Sequence, residues 1–275
     1  MTTITGTRTP GTGPGTHVRR SSRTAPRALL AAGAALLLPA TVAACTQETH
    51  DIDGEERVFG LPGTGELVIE GDNSRIELVV DESLSGEVSV TRWFHAEKLA
   101  GSTDISWSMR DDGTLELRTS CEGVVTSCDA RHLVAVPAGT AVRATAENGP
   151  LAAAGFATAL ALTTENGAIE IEDSTGPLAL ETGNGKITGH GLASEEVTTR
   201  SDNGSVHLSL VSAPALVDAE TDNGSVTIEV PGGTAYDVRT DTGHGDVDVE
   251  VEQGDSGHVI AVRTDNGSVT VRPGS

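Results

Sequence analysis

The sequence TDNGSV at Thr221–Val226 is one of seven related segments that recur through the second half of the chain. Close copies are SDNGSV at Ser201–Val206, TENGAI at Thr164–Ile169 and a second TDNGSV at Thr264–Val269. The Asn position of this segment is occupied in turn by Asn148, Asn166, Asn184, Asn203, Asn223, His244 and Asn266, at spacings of 18, 18, 19, 20, 21 and 22 residues. Such regular spacing indicates a fold built from one repeated unit.

The residues on either side of each Asn repeat as well. Around Asn166, Leu160 and Leu162 lie six and four positions before it, and Ile169 and Ile171 lie three and five positions after it, with polar residues between them. Alternation of apolar and polar residues, rich in aliphatic side chains, is typical of half-buried β-strands. Each unit is therefore predicted to be a strand, an Asn-Gly corner, a second strand and a variable polar connection.

Two all-β architectures fit this unit. The first is a parallel β-solenoid, a β-helix-like fold in which every unit of about 18–22 residues is one coil and equivalent positions stack. The alternative is an antiparallel β-meander, because Asn-Gly between two strands is a strong hairpin signal. We favour the solenoid, since only stacking explains why the same Thr, acidic residue and Asn return in each unit, where Asn side chains can bond along the stack.

Two finer expectations follow from the solenoid. The coils should stack in chain order, which gives Asn266 a neighbour on one side only. The corners should use left-handed backbone geometry, because Gly adopts positive φ without penalty and Asn tolerates it better than most residues.

The region before the repeats is rich in apparent strands but less regular. Leu67, Ile69 and Ile76 reproduce the repeat spacing around Asn73, with Ser74 where Gly usually stands. Terminal repeats of solenoids are atypical because they cover an open end of the core. We therefore predict an N-terminal β-rich cap over residues 57–136 and the repeat solenoid over residues 137–275.

The N-terminus has the pattern of a secretory signal. The first 47 residues contain five Arg and no Asp or Glu, and an apolar run from Ala28 to Ala44 follows the last of these Arg. The run is too short to span a membrane and contains Pro39. We predict a signal peptide over residues 1–44, lipidation of Cys45 and a polar tether over residues 45–56. The Arg19-Arg20 pair leaves open Sec or twin-arginine export.

The mature chain is strongly acidic. Removing residues 1–44 leaves 13 Lys and Arg against 40 Asp and Glu, a net charge of −27. This charge repels nucleic acid and anionic lipid headgroups, so nucleic-acid binding is excluded. In an oxidising compartment, the two remaining cysteines, Cys121 and Cys128, are expected to form a disulfide.

No enzyme, metal or cofactor signature emerges from the sequence. Gly254–Gly257, with the sequence GDSG, resembles a protease nucleophile loop but lies in a variable connection without the accompanying His segment. The acidic residues before the corners, such as Glu165 and Asp222, would form a row that calcium could bridge, although the calcium-binding β-roll nonapeptide is absent. We predict no catalytic residues, no cofactor and no metal site.

The segment Val42–Cys45, the Val134–Pro137 segment before the first corner and the repeated TDNGSV segments resemble the bacterial putative-adhesin domain family of unknown function, over about residues 60–275. The resemblance implies a β-strand-repeat protein, often lipid-anchored or membrane-linked. The predicted function is a non-enzymatic cell-surface lipoprotein that binds an unknown surface protein or glycan or supports the envelope. An envelope-stress or signalling accessory lipoprotein is the alternative, and a polysaccharide-active β-helix enzyme is less favoured.

Overall fold

The computed structural model describes residues 47–50, 54–63 and 65–274. These residues form twenty strands and no helix, and the strands belong to one continuous sheet that winds around a single main core. Among them, no helix is long and apolar enough to cross a membrane. The predicted signal peptide and Cys45 lie outside the described residues.

Sixteen of the strands, numbered in chain order, form two columns that face each other across the core. The first column contains β3 (Glu66–Gly71), β7 (Ala141–Ala146), β9 (Leu160–Thr164), β11 (Leu178–Asn184), β13 (Glu196–Asn203), β15 (Leu216–Asn223), β17 (Asp237–His244) and β19 (Val259–Asn266). The second contains β4 (Arg75–Asp81), β8 (Leu151–Ala154), β10 (Ile169–Glu172), β12 (Ile187–Leu192), β14 (Val206–Leu210), β16 (Val226–Val230), β18 (Val247–Val249) and β20 (Val269–Pro273). The remaining four are β1 (Gln47–His50), β2 (Glu55–Gly60), β5 (Glu87–Met109) and β6 (Thr114–Pro137).

Pairing within both columns is parallel and aligns the repeats. Thr182 lies opposite Ser201 and Asn184 opposite Asn203 where β11 pairs with β13, and the same alignment recurs where β13 pairs with β15. A meander of hairpins would pair each strand with its chain neighbour in the antiparallel sense. The solenoid prediction is therefore confirmed, and the hairpin alternative is wrong.

The core follows from the alternation seen in the sequence. Leu160 and Leu162 of the first column and Ile169 and Ile171 of the second are fully buried, whereas Glu170 between the two isoleucines is exposed. The two columns thus close on a narrow interior that aliphatic side chains fill, coil after coil, as one continuous cluster. This explains how a chain with so few aromatic residues forms a core.

The coils do not stack in chain order at the C-terminal end of the sequence. β19 pairs with β15 on one side and with β17 on the other, so that Asn266 lies opposite Asn223 and opposite His244. β20 is likewise inserted between β16 and β18. The expectation that Asn266 is the terminal corner is wrong, and His244 lies on the last coil of the stack.

The other end shows a similar inversion. β3 and β4 form a regular coil beneath that of Asn148, and β6 pairs in parallel with both of its strands. β5 precedes β6 in the chain but pairs outside it, antiparallel. β1 and β2 pair with β5 in turn. Parts of the segment predicted as a tether, Gln47–His50 and Glu55–Glu56, are therefore in strands.

Candidate functional site

The corners form a continuous ladder of Asn side chains, which we call the corner ladder. From Asn148 onward, each Asn Nδ2 donates to the Oδ1 of the Asn on the neighbouring coil, as from Asn148 to Asn73 at 2.9 Å and from Asn203 to Asn184 at 3.0 Å. Further bonds of 2.9–3.1 Å join the pairs Asn166–Asn148, Asn184–Asn166, Asn223–Asn203 and Asn266–Asn223. These side chains are exposed, so the ladder is a surface feature that runs along the stack.

A second ladder lies directly beneath the first. From the coil of Asn166 onward, the hydroxyl of the Thr or Ser two positions before the corner Asn donates to the corner Gly carbonyl of the adjacent coil, as from Thr182 to Gly167 at 2.9 Å and from Thr221 to Gly204 at 2.9 Å. These hydroxyl residues are buried, with Thr182 and Thr221 each 1% exposed. The Thr of the repeat thus satisfies a corner carbonyl that would otherwise lack a partner inside the fold.

The corner glycines are needed because neighbouring coils touch. A Cβ on Gly185 would lie 1.9 Å from the carbonyl oxygen of Gly167, and one on Gly204 would lie 1.8 Å from that of Gly185. The expected left-handed geometry is wrong: of the corner residues only Gly245 has a positive φ, and the one non-glycine residue with positive φ among the described residues is Asp173. Close backbone approach, not φ, therefore selects Gly.

Ser74 shows why one corner can dispense with Gly. It lies in the coil next to β6, which leaves the stack at this level and has no tight corner there. Its buried hydroxyl lies 3.1 Å from Nδ1 of His132. Burial lowers the pKa of His132 to about 4, with Arg92 adding to the effect, so the imidazole is neutral near pH 7.

The acidic residues before the corners lie beside the corner ladder. Glu147, Glu165, Asp202, Asp222 and Asp265 are exposed, and Gly183 and Gly243 interrupt the row. Within the described part of the chain, no three His, Cys, Asp or Glu side chains converge in a way that could hold a metal ion. The five carboxylates form an interrupted row of exposed charges along one edge of the ladder, with about 4.8 Å between adjacent coils.

The GDSG segment is a turn. The hydroxyl of Ser256 donates to the carbonyl of Ala235, and Nδ1 of the nearby His258 lies 2.7 Å from the carbonyl of Pro214. The two side chains therefore bond to separate backbone groups rather than to each other. A Ser nucleophile requires a His base within hydrogen-bond reach.

His207 belongs to a group of charged side chains on the second column. Its Nε2 lies 4.0 Å from Glu229, which accepts a 2.7 Å bond from Arg272. Burial lowers the pKa of His207, and the bond from Arg272 lowers that of Glu229. Because His207 and Glu229 are half-buried and Arg272 is exposed, the cluster is an ion-pair patch at the sheet surface.

One feature went unseen in the sequence: a projection that we call the finger, residues 94–106 of β5 paired with 118–130 of β6. β6 pairs with the stack as far as Leu117 and again from Arg131 onward. The residues between these two points form the finger, whereas a regular coil has only a short corner there. The small cluster of Phe94, Ala96 and Ala130, joined by Ile105 and the two cysteines, is separate from the main core. The finger therefore has its own packing.

A disulfide joins Cys121 and Cys128 inside the finger. These residues lie on the same strand, seven positions apart, yet their Cα atoms are only 6.4 Å apart. β6 must therefore double back on itself, and β5 follows it through their pairing. The two strands bend where Gly101 lies opposite Gly123, with φ values of 132° and 106°. A Cβ on Gly101 would lie 1.9 Å from the carbonyl oxygen of Glu122.

Residues 72–272, which include the corner ladder and the finger, match the family described as Toastrack DUF4097. The chain belongs to this family. The match confirms the family resemblance drawn from the repeated segments. No curated protein is significantly similar to this member of the family in sequence.

Solved structures are similar to this chain at low sequence identity. A structure described as a putative adhesin from Bacteroides fragilis NCTC 9343 has a TM-score of 0.50 and 10% identity, covering 81% of this chain and 98% of that one. Another putative adhesin, from Parabacteroides distasonis ATCC 8503, has a TM-score of 0.42 and 10% identity, covering 82% and 98%. The likeness to the Bacteroides fragilis protein shows a common fold and no more.

Proposed function

We propose that this family member is an exported, lipid-anchored surface protein that uses its solenoid to bind an extended partner, a surface protein or a glycan, without catalysis. The observation that carries the proposal is the corner ladder. From Asn73 to Asn266 it crosses six coil intervals, about 29 Å at the spacing of parallel strands. Its amides recur from coil to coil, and exposed carboxylates lie beside most of them, which suits a partner that is itself long or repetitive.

The rigidity of this surface supports a binding role. Five corners, those of Asn166, Asn184, Asn203, Asn223 and Asn266, are each held by a side-chain amide bond, a hydroxyl bond and backbone contact between coils, as with Asn184, Thr182 and Gly185. A surface that is ordered before binding loses little conformational entropy when a partner arrives. The net charge of −27 on the mature chain argues against nucleic acid as that partner.

The turn geometry at Ser256 and the absence of a converging metal-ligand set in the described residues favour binding over enzymatic chemistry. Polysaccharide-active sites typically combine clustered carboxylates with aromatic platforms for sugar rings. The repeat region supplies Phe156 and Tyr236, both fully buried and thus unable to serve as platforms.

The lipid anchor is tested by Cys45→Ser in the full-length chain. Lipoprotein processing requires the cysteine, so the variant should appear in the medium or remain an uncleaved precursor. Membrane fractionation with metabolic labelling by a fatty acid reads the result. A variant that stays in the membrane fraction as a mature, lipid-labelled protein contradicts the anchor.

The binding surface is tested by capture from cell envelopes with the mature chain. Asp202→Arg with Asp222→Arg reverses two charges beside the corner ladder. Asp218→Arg with Glu196→Arg makes the same charge change on the flat outer face of the first column, where both carboxylates are exposed. We expect the first pair to abolish capture of a specific protein or glycan and the control pair to retain it. Equal capture by both, or capture of nothing by the parent chain, contradicts the proposal.

A further inference from the structure

The start of the described chain lies against the finger. β1 is antiparallel to β5, with His50 opposite His95 and Gln47 opposite Lys98. The N-terminal end of β1 is therefore directed toward Leu99 and the end of the finger. Cys45 precedes Gln47 by two residues, and two residues span at most about 7 Å. An acyl group on Cys45 would therefore be attached within about 7 Å of Gln47, the residue opposite Lys98.

The end of the finger exposes apolar side chains. Leu99 is 61% exposed and Val124 is 58% exposed, and they are two of the five exposed large hydrophobic residues in the described part of the chain. Leu99 lies at an irregularity in the pairing of β5 with β6, between Lys98 and Ala100. Bulges of this kind redirect a side chain away from the ladder. We call residues 98–102 and 122–124 the tip.

The tip also differs from the rest of the molecule in charge. It carries Lys98 and Glu122 and is therefore neutral, whereas the mature chain carries a net charge of −27. Anionic headgroups at a membrane surface repel acidic surfaces and admit neutral or basic ones. The neutral, apolar tip can therefore approach a bilayer without the electrostatic repulsion that the acidic surface of the protein meets.

We propose that the tip is a membrane-contacting element, and that Leu99 and Val124 lie in the interfacial region of the bilayer that holds the acyl chains of Cys45. This inference rests on the proposed lipid anchor. A lipid on a single residue leaves a protein free to pivot, whereas an anchor and a nearby apolar contact together restrict its orientation. The Cys121–Cys128 disulfide keeps the finger folded over, so that the tip remains presented.

The test uses the full-length lipidated protein in vesicles of phosphatidylethanolamine and phosphatidylglycerol. Leu99→Cys, labelled with an environment-sensitive fluorophore, reports contact with lipid when nitroxide-labelled lipids quench its emission. Acylated Cys45 and the disulfide cysteines do not react with the label. Val124→Cys is a second reporter, and Val211→Cys is the matched control, an exposed valine in a connection of the stack far along the chain from the finger.

We expect nitroxide lipids to quench the probes at Leu99 and Val124 several-fold more than the probe at Val211. Vesicle flotation of the same samples reports the anchor separately. Flotation with equal, weak quenching at all three positions overturns the membrane contact and leaves the anchor intact. Failure of the parent chain to float overturns the anchor, and this inference with it.

Discussion

The close approach of neighbouring corners can be tested with one added methyl group. Gly185→Ala places a Cβ 1.9 Å from the carbonyl oxygen of Gly167, whereas ordinary contacts of this kind are not closer than about 3 Å. The two coils must therefore separate locally by about 1 Å or more. Both bonds that cross this step of the stack are affected, from Thr182 to Gly167 at 2.9 Å and from Asn184 to Asn166 at 2.9 Å.

The size of the effect follows from these losses. Each weakened hydrogen bond is worth about 1 kcal/mol, and forcing a methyl group into a packed site costs a further 1–3 kcal/mol or so. The free energy of unfolding should fall by about 3–5 kcal/mol. Gly60→Ala is the control, because a Cβ at Gly60 meets no atom within 4 Å and its φ is not positive. That variant should change stability by less than about 0.5 kcal/mol.

Denaturant unfolding followed by far-ultraviolet circular dichroism measures both variants against the parent chain. A large fall in the midpoint for Gly185→Ala, with none for Gly60→Ala, is the expected result. If Gly185→Ala unfolds at the same denaturant concentration as the control, close approach does not explain the corner glycines.

Two further predictions concern the corner ladder and pH. Asn203→Ala removes the bond that Asn203 donates to Asn184 and the bond that it accepts from Asn223, so the free energy of unfolding should fall by about 1–2 kcal/mol. Hydrogen exchange of backbone amides should accelerate in both adjacent coils. Asn266→Ala should likewise accelerate exchange in the coils on both sides of it, and a strictly local effect would contradict the inserted position of Asn266. Because burial lowers the pKa of His132 to about 4 from 6.5, the unfolded chain takes up a proton that the folded chain does not, and stability should fall by up to about 3 kcal/mol as pH drops from about 6.5 to about 4. Unfolding curves across this range for His132→Gln should show a shallower slope, and an unchanged slope would refute the assignment.

The sequence was sufficient to predict the repeat and its architecture. A period of about 20 residues, alternation around each Asn and the recurrence of polar residues that a hairpin does not need together favoured stacking over hairpins. The inward residues followed directly, and Leu160, Leu162, Ile169 and Ile171 are all buried. The prediction worked because neighbouring coils impose the same contacts on the same position of each unit.

The order of the coils could not be predicted, because it depends on connections whose sequence has no repeat. Residues 231–236 lead from β16 past one coil position to β17, and residues 250–258 return the chain to the vacant position. Two coil intervals are about 10 Å, well within the reach of six residues. The only trace in the sequence is that the spacings lengthen to 21 and 22 residues, which loop length alone would also explain.

The finger was missed for a related reason. β5 and β6 each serve two structures, since their ends pack on the main core and their middles form the finger. Alternation of apolar and polar residues predicts strand for both the ends and the middles of β5 and β6. It does not show where the main core ends and the small cluster of the finger begins. Gly101 and Gly123 were the available signals, but their role depends on being opposite each other across the pair, and that register is a tertiary property.

The inserted order has a consequence for the open end of the stack. If the coils followed chain order, β19 and β20 would form the last edge, with the apolar run Val259–Val262 along it. A flat apolar edge strand is a template for pairing with another chain. Instead these strands are paired on both sides, and among the described strands the edge of the stack is formed by β17 and β18, where Asp241, Asp246 and Asp248 lie. Two such edges repel each other. The inserted order therefore places the apolar coil of β19 and β20 inside the stack and the acidic coil of β17 and β18 at its end.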